Sequence, residues 1–165
     1  NKGEGTTKVH VCRYVDSSNG RFVALSDASS LFLFALIFVQ EKSGSTTMVP
    51  SRLPLKLPGN SPIAAMCFLS NDLLVLTDAS GCIHIVALSA GGENPESDTE
   101  MDTDEVAKAT LKQTIQPNSH AFTLPVHSIS AMDDGTSFVA RRHGLLGDAG
   151  LIHAYSTGDR GVYGH

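Results

Sequence analysis

Leu76 to Ile85 reads LTDASGCIHI, and Leu25 to Phe34 reads LSDASSLFLF. Both pass from an apolar segment through a polar Asp-Ala-Ser turn into a second apolar segment. A looser version, FVARRHGLLGDAGLIHAY from Phe138 to Tyr155, again leads through an Asp and a Gly into the dipeptide Ile-His. Self-similarity at intervals of tens of residues marks a repeated supersecondary unit, each copy of which needs a neighbour to bury its apolar face.

Working outward from the turns extends the repeat. Upstream stand VHVCRYV (Val9 to Val15), IAAMCFL (Ile63 to Leu69) and VHSISAM (Val126 to Met132), followed by the breaks DSSNG, SND and DDG. Those breaks consist of residues that cap turns with their side chains or tolerate positive φ. After them come RFVAL, LLVL and SFVAR, then the Asp turn, then LFLFAL, CIHIVAL or LIHAYS. These segments are four to seven residues long and rich in β-branched and aromatic residues, which predicts strands. No amphipathic stretch of helical length competes with them, so the fold class is all-β. RLPLKLPG (Arg52 to Gly59) and LKQTI (Leu111 to Ile115) are expected as fourth strands, the prolines fitting an outer edge where a missing N–H breaks no ladder. A four-stranded antiparallel meander is the predicted unit.

Composition limits the functional classes. The chain has 165 residues, of which 41% are hydrophobic and 18% charged, values that suit an ordinary globular fold. The net charge of -5 is concentrated in Glu93, Glu96, Asp98, Glu100, Asp102, Asp104 and Glu105; without them 10 acids face 12 bases. Global charge therefore gives no indication of nucleic acid, and RNA contact is not excluded by it. Cys12, Cys67 and Cys82 form neither an even set nor a CxxC pair, so reduced thiols in an intracellular setting are expected, with no metal centre. The most apolar run, Leu31 to Val39, has nine residues; a membrane-spanning helix needs roughly 20. No membrane association is expected.

The repeated strand, Asp turn and Ile-His strand resemble a divergent WD-repeat-type β-propeller. The resemblance covers Val9 to Leu36, Ile63 to Leu88 and Val126 to Thr157; with no Trp in the chain, the family's Trp-Asp dipeptide is missing. First strands start at Val9, Ile63 and Val126, spacings of 54 and 63 residues, against roughly 40 to 45 in such repeats. Insertions at 44–52 and 91–105 account for the excess. The implied organisation is a first blade over 1–60 with loop insertion 44–52, a second over 61–118 with acidic disordered insertion 91–105, and a partial third over 119–165. Propellers close with about four to eight blades, so the resemblance implies an incomplete ring of about three, a fragment of a larger propeller.

Among candidate residues, Asp27, Asp78, Gly81, Asp148 and Gly150 are expected to shape the repeated turns. Ser97 and Thr99 each have an acid three residues on, a context that suits phosphorylation. Arg141, Arg142 and His143 form a basic cluster suited to a phosphate or an acidic protein surface. His84 and His153 follow Ile in two copies and are expected as structural positions. The glycines of GLLGDAG lack phosphate-loop spacing, and no GxSxG or HExxH places a nucleophile or a metal.

The resemblance implies a non-catalytic protein–protein interaction scaffold in a eukaryotic multi-subunit assembly, with ribonucleoprotein or ribosome-maturation complexes among its hosts. Its partners would be other protein subunits, with no cofactor and no small-molecule substrate, and nuclear placement is favoured over cytoplasmic. The alternative is an enzyme, or an enzyme subunit, with a pocket in the central channel of the propeller. The acidic run supplies a first prediction. Loop closure costs only about 0.6 kcal/mol per doubling of length, so replacing 91–105 by a few Gly and Ser residues should leave the urea midpoint nearly unchanged. A large loss would make the run part of the folded core.

Overall fold

The structure, a computed structural model, describes residues 10–14, 22–26, 30–70, 72–89, 106–117, 126–142, 151–158 and 161–164. They form strands and connections, with no helix among the described residues. The first sheet contains β1 (His10–Tyr14), β2 (Phe22–Ser26), β3 (Leu31–Gln40) and β4 (Thr46–Leu53). The second contains β5 (Ile63–Ser70), β6 (Leu73–Asp78), β7 (Ile83–Ser89) and β8 (Lys108–Ile115). The third contains β9 (Val126–Ala131), β10 (Ser137–Arg142), β11 (Leu151–Gly158) and β12 (Gly161–Gly164). Each is an antiparallel meander in which sequence neighbours pair, and none closes on itself. The sheets approach one another through their first strands, β1 against β5 and β5 against β9.

Equivalent ends of the sheets lie together. Leu31, which opens β3, and Ile63, which opens β5, line one open pocket of about 290 Å³ with Leu55, Lys56 and Leu57. At the same end of the second sheet, Thr77 Oγ1 donates to the carbonyl of Val126, the first residue of β9 (3.5 Å). The antiparallel ladders then carry the ends of β3, β7 and β11 to the opposite side of the stack.

The middle sheet is buried on both faces, which explains the continuous apolar runs LLVL and IHIVAL. Successive side chains of a strand face opposite ways. Met66, Phe68, Leu74, Leu76, Val86 and Leu88 pack with Phe22, Ala24, Leu33, Ala35 and Leu53 of the first sheet. The alternate residues Cys67, Leu69, Val75, Ile83 and Ile85 pack with Val126, Ile129, Phe138, Ala140 and Tyr155 of the third. In the second core, the cross-strand pair Phe138 and Tyr155 stacks with ring centroids 5.0 Å apart. Among the apolar residues of the repeated second strands, Phe22, Leu74, Val75, Leu76 and Phe138 are buried, whereas Val23, Leu25 and Val139 are half-buried. The latter three occupy the strand faces turned away from the two cores.

Two boundaries differ from the sequence expectation. The segment 44–52, expected as an insertion, is the end of a turn plus most of β4, which pairs along β3 from Gln40↔Thr46 to Leu33↔Leu53. Thr46, Thr47 and Val49 suit a strand, and Pro50 is tolerated because β4 is the outer strand of its sheet. Of RLPLKLPG, only Arg52 and Leu53 belong to a strand; Leu55 and Leu57 pack against the first core from an irregular connection. The third unit, expected as partial, has a fourth strand: β12 pairs with β11 from Tyr155↔Gly164 to Gly158↔Gly161. Its Gly-rich composition hid the strand. The acidic run 91–105 lies outside the described residues.

Phe138 is fully buried between two sheets, so Phe138→Ala should cost about 3–5 kcal/mol in urea unfolding. Ile152 is 67% exposed, and Ile152→Ala should change stability by no more than about 0.5 kcal/mol. Equal effects would mean that the third sheet does not pack on the second as described.

Candidate functional site

The densest group of polar side chains in the described residues surrounds the turn between β6 and β7. The ladder ends at Thr77↔Ile83, and the chain reverses over the next five residues. The Asp78 N–H donates to the Cys82 carbonyl (3.1 Å) and the Gly81 N–H to the Asp78 carbonyl (3.0 Å). Gly81 has φ +89°, and a Cβ there would sit 3.3 Å from a guanidinium nitrogen of Arg142. Only glycine meets both demands without strain.

The Asp78 carboxylate is the hub. Its Oδ1 accepts from the Ser80 N–H (2.9 Å), the Ser80 hydroxyl (2.5 Å) and the Cys82 N–H (3.1 Å). Its Oδ2 lies 2.8 Å from His84 Nε2, and His84 Nδ1 lies 3.0 Å from Thr114 Oγ1. An ionised carboxylate only accepts, so Nε2–H is the donor; in the neutral ring, Nδ1 then accepts from Thr114. His84 and Thr114 are direct cross-strand partners in β7 and β8, so the line Asp78–His84–Thr114 ties three strands together. A second branch runs through Cys82, whose Sγ lies 3.3 Å from Ser80 Oγ and donates to Gln116 Oε1 (3.2 Å).

The turn is also joined to its neighbours. The Ala79 N–H donates to the Pro62 carbonyl ahead of β5 (2.8 Å). From the third sheet, the Arg142 guanidinium reaches the Gly81 carbonyl at 3.4–3.5 Å. Arg142 is thereby drawn into the turn, while Arg141 is exposed. By register, Leu76↔His84 corresponds to Ala140↔His153, so Arg142 occupies in the third unit the place that Asp78 has in the second. Asp27, Asp148, Gly150, His143, Ser97 and Thr99 lie outside the described residues, as does the side chain of His153.

An Asp–His–hydroxyl line has the composition of a nucleophile relay; here the Thr114 hydroxyl is half-buried and the imidazole behind it is enclosed. His84 is fully buried and Asp78 is 3% exposed, so no substrate atom reaches the imidazole. No buried side-chain nitrogen or oxygen among the described residues lacks a partner, and the hydrogen bonds within the group make it a clamp on the end of the sheet. Thr114 and Gln116 carry no signal in the sequence, and Cys82 reads there only as one of three reduced thiols. Thr114 is identified only by the β7–β8 register, which a propensity pattern does not contain; the six-residue interval from Asp78 to His84 was the one available signal.

Burial by itself would raise the Asp78 carboxyl, but the hydrogen bonds from Ser80, His84 and Cys82 outweigh it and hold the group below its usual value. At the β9–β10 turn, hydrogen bonds from Ser137 and from the Thr136 N–H hold exposed Asp134 at about 2. A depressed carboxyl stabilises the fold above its unfolded pKa and ceases to do so as pH falls through the folded one. Stability should therefore drop as pH falls below about 4. Asp78→Ala should cost about 2–4 kcal/mol near neutral pH, because it leaves His84 and two turn N–H groups without their acceptor, and its acid slope should be shallower. Urea midpoints measured across the acid range would test this; parallel slopes in parent and variant would eliminate the clamp as the titrating element.

Compared with known proteins, the chain matches no protein-family model and no curated protein sequence.

Proposed function

We propose that the chain is a non-catalytic interaction scaffold of the β-propeller type, related in pattern to divergent WD repeats and working inside a eukaryotic multi-subunit assembly. The observation that carries this reading is the meander repeated three times, with successive sheets meeting along their first strands. In a propeller those strands line the axis, and the outer strands and loops are left for partners. The use of Asp78, His84 and Thr114 within the fold supports binding through shape and surface instead of chemistry. Other protein subunits are the proposed partners, with nuclear ribonucleoprotein and ribosome-maturation complexes among the proposed hosts.

The test is gentle purification of a tagged copy from cells, followed by sizing and mass spectrometry. The expected result is a reproducible set of proteins in fixed proportion, eluting far above the 17.4 kDa of this chain. Recovery as a lone chain at physiological salt would refute the scaffold reading.

A further inference from the structure

The pocket of about 290 Å³ lies where the first and second sheets begin. Leu31, Leu55, Leu57 and Ile63 form its apolar wall, and Lys56, Asn60 and Ser61 contribute polar groups. Lys56 is exposed and is the only charged side chain among the described lining residues, and no described carboxylate pairs with it.

The internal repeat shows that this space is particular to the first unit. Aligning LSDASSL with LTDASGC puts Ser30, which also lines the pocket, at the place of Gly81. Over Gly81 the protein fills the corresponding space itself: a Cβ there would meet Arg142 at 3.3 Å and Pro117 at 3.6 Å, and the Arg142 guanidinium reaches the Gly81 carbonyl. On the second sheet the place of Arg142 is held by Asp78. Its carboxylate is engaged by Ser80, Cys82 and His84 of its own sheet, so it does not extend toward the first unit.

The chain beside the pocket is extended and held so. Burial alternates from Leu53 to Pro58, with the leucines turned inward and Pro54, Lys56 and Pro58 exposed. Prolines at alternate positions favour extended backbone for themselves and for the residue before each, and Gly59 then turns the chain at φ +76°. Among the described residues, 54–61 makes no backbone–backbone hydrogen bond. A preformed extended edge can pair with a second extended chain, without the cost of ordering it first.

The occupant has to suit an apolar wall, a cation and an extended edge together. A free small-molecule acid uses the first two, but sites for such ligands are about 300–1,000 Å³ and cover most of the ligand, whereas this pocket is open and at the bottom of that range. A basic segment would set like charge against Lys56. An acidic extended peptide uses all three features.

We propose that this pocket receives one large apolar side chain of an extended, acidic segment of a partner protein, with a nearby Asp or Glu of that segment on Lys56 and its backbone along 54–57. This rests on the scaffold reading and names the chemistry of one of its partners.

The test uses the full chain and labelled nine-residue peptides in which one leucine, methionine or phenylalanine is set among glutamates, with fluorescence anisotropy as the readout. Saturable binding is expected for at least one of them. It should weaken at least tenfold with Lys56→Glu, and also with Asn60→Trp, which puts an indole in the mouth of the pocket. Both positions are exposed, so melting curves should not move. Serine in place of the apolar residue of the peptide should weaken binding at least tenfold, and glutamine in place of its glutamates should remove the difference between the parent chain and Lys56→Gln. The absence of saturable binding by all three peptides, or equal affinity in the parent and both variants, would overturn the proposal. So would octanoate that binds as tightly as the peptide, which would make the pocket a site for a free carboxylate. In cells, loss of one subunit from the co-purified set with Lys56→Glu supports the proposal. If both variants keep the full set, the pocket proposal fails while the scaffold reading stands.

Discussion

The Asp78 carboxylate is an anion buried at the end of a sheet that is itself buried on both faces, and the local structure is arranged to make this tolerable. A desolvated carboxylate is costly unless its lone pairs are satisfied. Here Ser80 and Cys82 occupy one oxygen and His84 the other. The turn needs Gly81 to fold back at φ +89°, and the imidazole needs Thr114 to fill its second nitrogen. One buried charge thus dictates a glycine, a hydroxyl on the fourth strand and the register between β7 and β8. Through the Gly81 carbonyl the turn also meets Arg142 of the third sheet.

The two-sided core and this polar end divide the work of holding the sheets. Leu74, Leu76, Val86 and Leu88 on one side, and Val75, Ile83 and Ile85 on the other, supply non-directional burial that would tolerate small slips. The clamp does not tolerate them: shifting β8 by one residue would move Thr114 to the opposite face and leave His84 Nδ1 buried and unpaired. Apolar area therefore supplies most of the adhesion, and the Asp78 group specifies the register.

How much of this was legible in the sequence varied with the kind of signal. The first three strands of every unit followed from alternation, β-branched content and turn residues, and their bounds in the structure differ by a few residues from VHVCRYV, LLVL or LIHAYS. The fourth strands were harder because an outer strand has little apolar pattern to read: β4 contains Pro50, and β12 is the tetrapeptide GVYG. At the candidate site, Asp78 and Gly81 stood out as turn residues, whereas Thr114 could not, since its role depends on which residue of a distant strand lies opposite His84. Arg142 read as a surface cation, and only the packing of the third sheet on the second brings it to the Gly81 carbonyl.

The β3–β4 ladder shows the converse relation between pattern and role. LFLFALIFV is uniformly apolar, which the local pattern equates with burial, yet Leu33, Ala35 and Leu36 are buried while Ile37, Phe38 and Val39 are exposed. The change comes where β3 passes beyond the reach of the second sheet. Its continuation is still a regular ladder, closed by a turn whose serines and threonine converge on Glu41. A strand overshoot with no core to pack on would be better served by polar residues, since exposed apolar hairpins invite aggregation. Five large apolar side chains on a braced ladder therefore work against solubility, and packing within the described residues does not account for them.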